Sequence, residues 1–233
     1  MSIMTGQYID GFLELFFPRL CVTCNRKLYT DEKYLCLHCI LELPKTNFHT
    51  DSQNKVAQLF WGRVPVEHVT AWLFFRKGSR YQRLIHFLKY KGMKEIGEEM
   101  GNRFGQDILH SCFGDVDLIV PVPLHEKKLK QRGYNQSEHI AKGMAEGLKK
   151  PMIPGNLIRV RSTDTQTRKG RFQRWQNVEG VFMVADPDAL AGRHILLTDD
   201  VITTGSTLEA AVQALLISGV AKVSIAALAF AEI

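Results

Sequence analysis

Ile195-Leu196-Leu197-Thr198-Asp199-Asp200-Val201-Ile202-Thr203-Thr204-Gly205-Ser206-Thr207 is the stretch that decides the fold. Its apolar opening predicts a buried parallel strand over Ile195 to Thr198, closed by two adjacent carboxylates, Asp199 and Asp200. Small hydroxyl residues around Gly205 then form a turn. Beyond it Leu208, Ala211, Val212, Leu215 and Leu216 recur on one face of a helix. A strand, a glycine turn and a helix N-terminus make an anion site, because backbone N–H groups and the positive end of the helix dipole converge there. Paired acids just before such a cradle suit a ligand carrying both a phosphate and sugar hydroxyls, which points to a phosphorylated ribose. The competing reading is a surface strand–turn–helix with an acidic turn and Thr207 as its N-cap.

Outward from this stretch, strands and helices alternate. Strands are expected at Val69–Phe75, Leu118–Val120, Leu157–Val160, Val181–Val184 and Val223–Phe230, and helices at Tyr81–Tyr90, Lys94–His110 and Asn135–Leu148. That order predicts an α/β fold, a mainly parallel Rossmann-type sheet flanked by helices, with ligands beyond the carboxyl ends of the strands. The segment Pro121–Arg132 reads as a loop at such an end.

Cys21-Val22-Thr23-Cys24 and Cys36-Leu37-His38-Cys39 are two Cys-x-x-Cys pairs separated by eleven residues. Two such turns can close a tetrahedral four-thiolate shell, the usual structural zinc site, with two disulfides as the rival. Cys112 reads as a packing residue. The organisation expected is a helix and zinc-ribbon-like module over 1–45 and a second domain over 60–233. The apolar stretch Tyr8–Phe17 carries Asp10 and Glu14 and reads as a docking helix rather than a signal peptide. With no run of about 18 apolar residues, the expected location is the cytoplasm.

The charge is unevenly placed. Residues His125–Gln176 hold 13 of the 30 Lys and Arg but 4 of the 24 Asp and Glu, a local net of +9, while the rest of the chain sums to −3. A polyanion, pyrophosphate or nucleic acid, is the partner this segment suits. Arg132, Lys128 and their neighbours can offer cations to pyrophosphate, and Asn135 either joins them or caps the helix it begins. Cations interleave with aromatics (Arg132 with Tyr134, Arg171-Phe172 with Arg174-Trp175), a pattern that can hold single-stranded DNA by stacking.

Residues 195–207 resemble the PRPP (phosphoribosyl pyrophosphate) signature of type I phosphoribosyltransferases. Pro121-Val122-Pro123-Leu124, the later Arg132-Gly133-Tyr134-Asn135-Gln136 and the cysteine pairs extend the likeness to the ComF/GntX family of phosphoribosyltransferase-like proteins, associated with DNA uptake. Tyr134 stands where that family has Phe. Gln166, Arg174, Asn177 and Phe182 meet a further family spacing, although Lys169-Gly170 replaces the family's usual Leu between them. The resemblance implies that Asp199 and Asp200 accept hydrogen bonds from the ribose hydroxyls and that Thr203, Thr204, Gly205, Ser206 and Thr207 wrap the 5-phosphate. It further implies that Mg²⁺ accompanies PRPP, and that a flap over Arg161–Asn177 brings Arg174 and Asn177 to the pyrophosphate side. Two functions are therefore expected in outline: a Mg²⁺-dependent phosphoribosyl transfer to an unidentified acceptor, or a non-catalytic protein of the DNA-uptake machinery that binds single-stranded DNA and keeps the PRPP site for regulation.

Overall fold

A computed structural model describes residues 18–160 and 181–232. Four parallel strands form the central sheet: β1 (Val69–Phe75), β2 (Leu118–Pro121), β5 (His194–Ile202) and β6 (Lys222–Ala231), in the spatial order β1-β6-β5-β2. Their nearly continuous apolar sequences follow from burial on both faces. A two-stranded antiparallel ribbon, β3 (Leu157–Arg159) with β4 (Phe182–Val184), stands apart from it. The helices are α1 (Leu37–Leu41), α2 (Lys55–Gln58), α3 (Gln82–Tyr90), α4 (Lys94–Ile108), α5 (Glu126–Arg132), α6 (Gln136–Leu148) and α7 (Ser206–Ile217).

The pleat of β5 divides the core. Leu196 packs with α3, α4 and α6, whereas Ile195 and Leu197 pack with α7 on the other face. The α4–α6 pair is unusually close: a Cβ on Gly143 would lie 2.0 Å from the Glu98 carbonyl oxygen, and one on Gly101 would lie 2.2 Å from that of Ile140. Glycine is required there because backbone meets backbone. The cysteine segment packs on this same face, with Leu28, Leu35 and Leu43 in one buried cluster with Leu88, Ile96 and Met100.

Three features differ from the sequence expectation. β5 continues past Thr198, because Asp199 and Val201 still pair with Ala227 and Ala229 of β6. Both carboxylates thus hang from a hydrogen-bonded strand rather than a turn. The Pro121–Arg132 segment contains α5, which starts where His125 Nδ1 accepts from the Lys127 amide (3.2 Å) and stops at Gly133, φ +80°. Its sequence, Glu-Lys-Lys-Leu-Lys-Gln-Arg, has Leu129 as its one apolar residue and leaves no apolar stripe to read. The stretch Pro44–Lys55, polar and irregular in sequence, contains a 3₁₀ turn over Phe48–Thr50 and runs into α2. The expected helix before Phe17 and the flap with Gln166, Arg174, Asn177, Phe172 and Trp175 lie outside the described residues.

Candidate functional site

The carboxyl ends of β5 and β2 and the N-termini of α6 and α7 meet at one edge of the sheet. Gly205 adopts φ +77° and is the N-cap of α7, so no side chain caps the first turn. Thr203, Thr204, Ser206 and Thr207 are exposed around it, and Gly205 itself is buried. Thr207 is therefore inside the helix and is not its cap. A small cavity of about 50 Å³ is lined by Asp199 and residues 201–208. The loop is braced from behind. Phe60 packs where a Gly205 Cβ would come within 3.0 Å of its ring, and the Arg63 guanidinium donates to the Thr204 carbonyl (3.0 Å) while pairing with Glu209.

The two carboxylates are held from different elements. Asp199 Oδ1 accepts from the Ser137 hydroxyl (2.9 Å) and from the Asp200 amide (2.8 Å). Asp200 Oδ2 accepts from Gln136 Nε2 (2.9 Å) and pairs with Lys89 Nζ (2.7 Å). Ser137 and Gln136 open α6, so the acids also sit at the positive end of a helix dipole. Burial pushes the Asp199 carboxyl up to about 7, with the neighbouring Asp200 charge adding to it; the Asp200 amide, Ser137 and Lys89 pull the other way.

Of the basic-segment candidates, Arg132 donates to Gln136 Oε1 (2.8 Å) and lies over the Tyr90 ring at 5.3 Å. Asn135 is buried and locally engaged: its Oδ1 accepts from the Ser137 amide (3.2 Å) and its Nδ2 donates to the Val122 carbonyl (3.0 Å). The helix-cap reading is the one the geometry realises. Lys128 sits exposed on α5. Tyr134 is half-buried, with its hydroxyl donating to the Leu88 carbonyl and its ring edge-on to His139. The sequence reading missed Lys89, Ser137 and Arg63 and did not place Gln136 in the site. Gln136 was legible as part of the Arg-Gly-x-Asn-Gln motif. A lone lysine at the end of an amphipathic helix carries no such signal.

On the far side of α3 and α4, the ligand atoms of Cys21, Cys24, Cys36 and Cys39 all lie within 4.8 Å of one another, and none forms a disulfide. The Cys24 and Cys36 sulfurs are 3.6 Å apart. A tetrahedral metal with sulfur bonds of about 2.3 Å sets its ligands roughly 3.8 Å from each other, so the cluster fits a closed four-thiolate site. Burial opposes ionisation of Cys21, but backbone amides of Cys24, Cys36 and Thr23 outweigh it and bring the thiol down to about 7. Burial pushes Cys39 up, a cost that a bound cation offsets by holding the thiolate. Cys112 packs against the core as expected. No described helix is long and apolar enough to cross a membrane.

Residues 136–232 match the phosphoribosyl transferase domain family. The DNA utilization protein YhgH of Escherichia coli K12 is 30% identical over 214 residues, covering 88% of this chain and 88% of that protein. Competence protein F of Haemophilus influenzae is 37% identical over 93 residues, 40% of this chain and 41% of that one. Competence protein ComFC of Bacillus subtilis is 32% identical over 131 residues, 56% of this chain and 51% of that one. With its parallel sheet, signature loop and four-cysteine cluster, this chain belongs to the ComF family of phosphoribosyltransferase-like proteins.

Proposed function

We propose that the chain binds a phosphoribosyl ligand, PRPP in the first instance, and serves DNA uptake or nucleotide metabolism. The observation that carries this is how the two acids are tethered. Each is tied through a single oxygen, Asp199 by Oδ1 and Asp200 by Oδ2. Among the described residues the other oxygen of each has no protein partner. Two fixed acceptors beside an uncapped helix N-terminus match a vicinal diol and a phosphate on one sugar. Thr203–Thr207 supply hydroxyls and amides to the 5-phosphate. In this reading Arg132, which bonds Gln136, and the exposed Lys128 of α5 contact the pyrophosphate. A Mg²⁺ ion accompanying PRPP would supply neutralisation of the pyrophosphate charge. In a transfer, an acceptor nucleophile would attack C1 as the C1–O bond to pyrophosphate breaks, and the carboxylates would stabilise the positive charge developing on the ribose. The names of the relatives support placing this binding in DNA uptake, and the proposed cluster metal is zinc in a structural role.

A second reading has its own support. Lys127, Lys128 and Lys130 are exposed on α5, and Tyr90, 63% exposed, lies beside Arg132. A cationic track with an accessible ring is how single-stranded DNA is held. Calorimetry with PRPP and Mg²⁺ separates the readings. Asp199→Asn/Asp200→Asn is expected to abolish measurable PRPP binding while leaving single-strand binding intact; undiminished PRPP affinity in that variant would sink the assignment.

A further inference from the structure

Asp200 is enclosed by a ring of side chains that the signature does not contain. Lys89 and Tyr90 are consecutive residues at the end of α3, and Arg132 and Gln136 flank the start of α6. Lys89 Nζ and Gln136 Nε2 both reach Asp200 Oδ2, at 2.7 and 2.9 Å. Arg132 donates to Gln136 Oε1, which fixes the amide so that its nitrogen faces the carboxylate, and Tyr90 supports the guanidinium from below. The pair is well removed from solvent, with the Lys89 and Asp200 side chains 20% and 8% exposed. A free ammonium on four rotatable bonds would lose considerable entropy to sit there. Its return is a carboxylate turned one way.

We infer that Lys89 is a positioning residue of the sugar site: with the Arg132–Gln136 arm it holds Asp200 through one oxygen and presents the other to a ribose hydroxyl. This rests on the phosphoribosyl-binding reading above and adds to it a specificity device. An acid held with a single free oxygen accepts a hydroxyl at one position and orientation, so the ring selects a ribose with its vicinal diol over a 2-deoxyribose. Among the described residues, the charged groups that face Asp200 are Asp199 on β5, Lys89 on α3 and, through Gln136, Arg132 on α5. The described parts of α6 and α7 contribute uncharged donors at this point, Gln136, Ser137 and the loop hydroxyls, while Glu209 is paired with Arg63. Among the described residues Lys89 is therefore the cation paired with Asp200, and its charge also acts on Asp199. Without it, proton uptake by Asp199 moves to higher pH, because the Lys89 charge is one of the groups that pull that carboxyl down.

The test compares wild type, Lys89→Met and Lys89→Arg in the full chain, titrated with PRPP, ribose 5-phosphate and 2-deoxyribose 5-phosphate across pH 5.5–9. Lys89→Met is expected to bind ribose 5-phosphate roughly tenfold or more weakly at neutral pH. Its acidic limb should shift to higher pH, and its preference over the deoxy sugar should narrow. Lys89→Arg should restore most of each. Carboxyl ¹³C titration of the ligand-free proteins supplies an independent reading, with the midpoint of Asp199 rising in Lys89→Met. Wild-type affinity, pH profile and sugar preference in Lys89→Met would overturn the inference and leave the ligand reading standing. Weakened binding with an unmoved profile and no rescue by arginine would reduce Lys89 to packing and overturn it as well. If wild type binds none of the three sugars, the ligand reading falls; the carboxyl titration then decides the ring alone, and an unmoved midpoint refutes it.

Discussion

Replacing Gly143 by alanine sets two physical effects against each other, and the structure says which wins. On intrinsic propensity, alanine in the middle of α6 should stabilise the helix by about 1 kcal/mol. The added Cβ, however, lies 2.0 Å from the Glu98 carbonyl oxygen, 2.7 Å from the Asn102 amide nitrogen and 2.8 Å from the Glu98 carbonyl carbon. A normal carbon–oxygen contact needs about 3.3 Å, so α4 and α6 must separate by more than about 1 Å. The obstructing atoms are backbone and cannot rotate away. Overpacking of this kind costs about 1–3 kcal/mol and more where relaxation is blocked, so the net expectation is a loss of roughly 2 kcal/mol despite the better helix former. Urea unfolding followed by circular dichroism reads it directly. Lys142→Ala, next in sequence and on the exposed side, serves as the control and should cost no more than about 1 kcal/mol, the range of an exposed ion pair such as its contact with Glu98. A Gly143→Ala protein with a raised midpoint would refute the close-packing argument, because it would show propensity acting alone. The same displacement would disturb the first turn of α6, where Gln136 and Ser137 hold the acids, so PRPP affinity should fall with stability.

Two further outcomes follow from the cysteine cluster and the buried acid. Stripping metal with a chelator, or Cys39→Ser, should lower the melting temperature of the whole chain, because Leu28, Leu35 and Leu43 share a core with α3 and α4; an unchanged melt, with no zinc found by metal analysis, would remove the structural role. Asp199, pushed up to about 7 from an ordinary 3.8, binds its proton more tightly folded than unfolded. Its ionisation therefore destabilises the fold above neutrality, and that penalty fades as pH falls from about 7 towards 4. Asp199→Asn should accordingly gain most over wild type at pH 8 and least at pH 5 in urea midpoints, and a pH-independent gap would contradict the assignment.

What the sequence determined by itself came from patterns among residues close along the chain, where such a pattern exists; the largely polar sequence of α5 left none. The run Ile195–Thr207 announced its strand, its turn and its helix because pleat, glycine and apolar stripe are local patterns. The cysteine spacing announced its cluster for the same reason. It was also enough to predict the parallel α/β sheet, since alternating elements admit few arrangements. Tertiary structure decided what local pattern cannot hold. The pairing of Asp199 with Ala227 put the acids inside β5, because a strand runs as far as its neighbour accompanies it. The approach of α4 to α6 decided that glycines scattered among polar residues were contact points. Folding carried Lys89, 111 positions from Asp200 in sequence, to 2.7 Å from its carboxylate. An ion pair of that separation leaves no mark in either neighbourhood, because its energy exists only once the sheet and helices have closed around it.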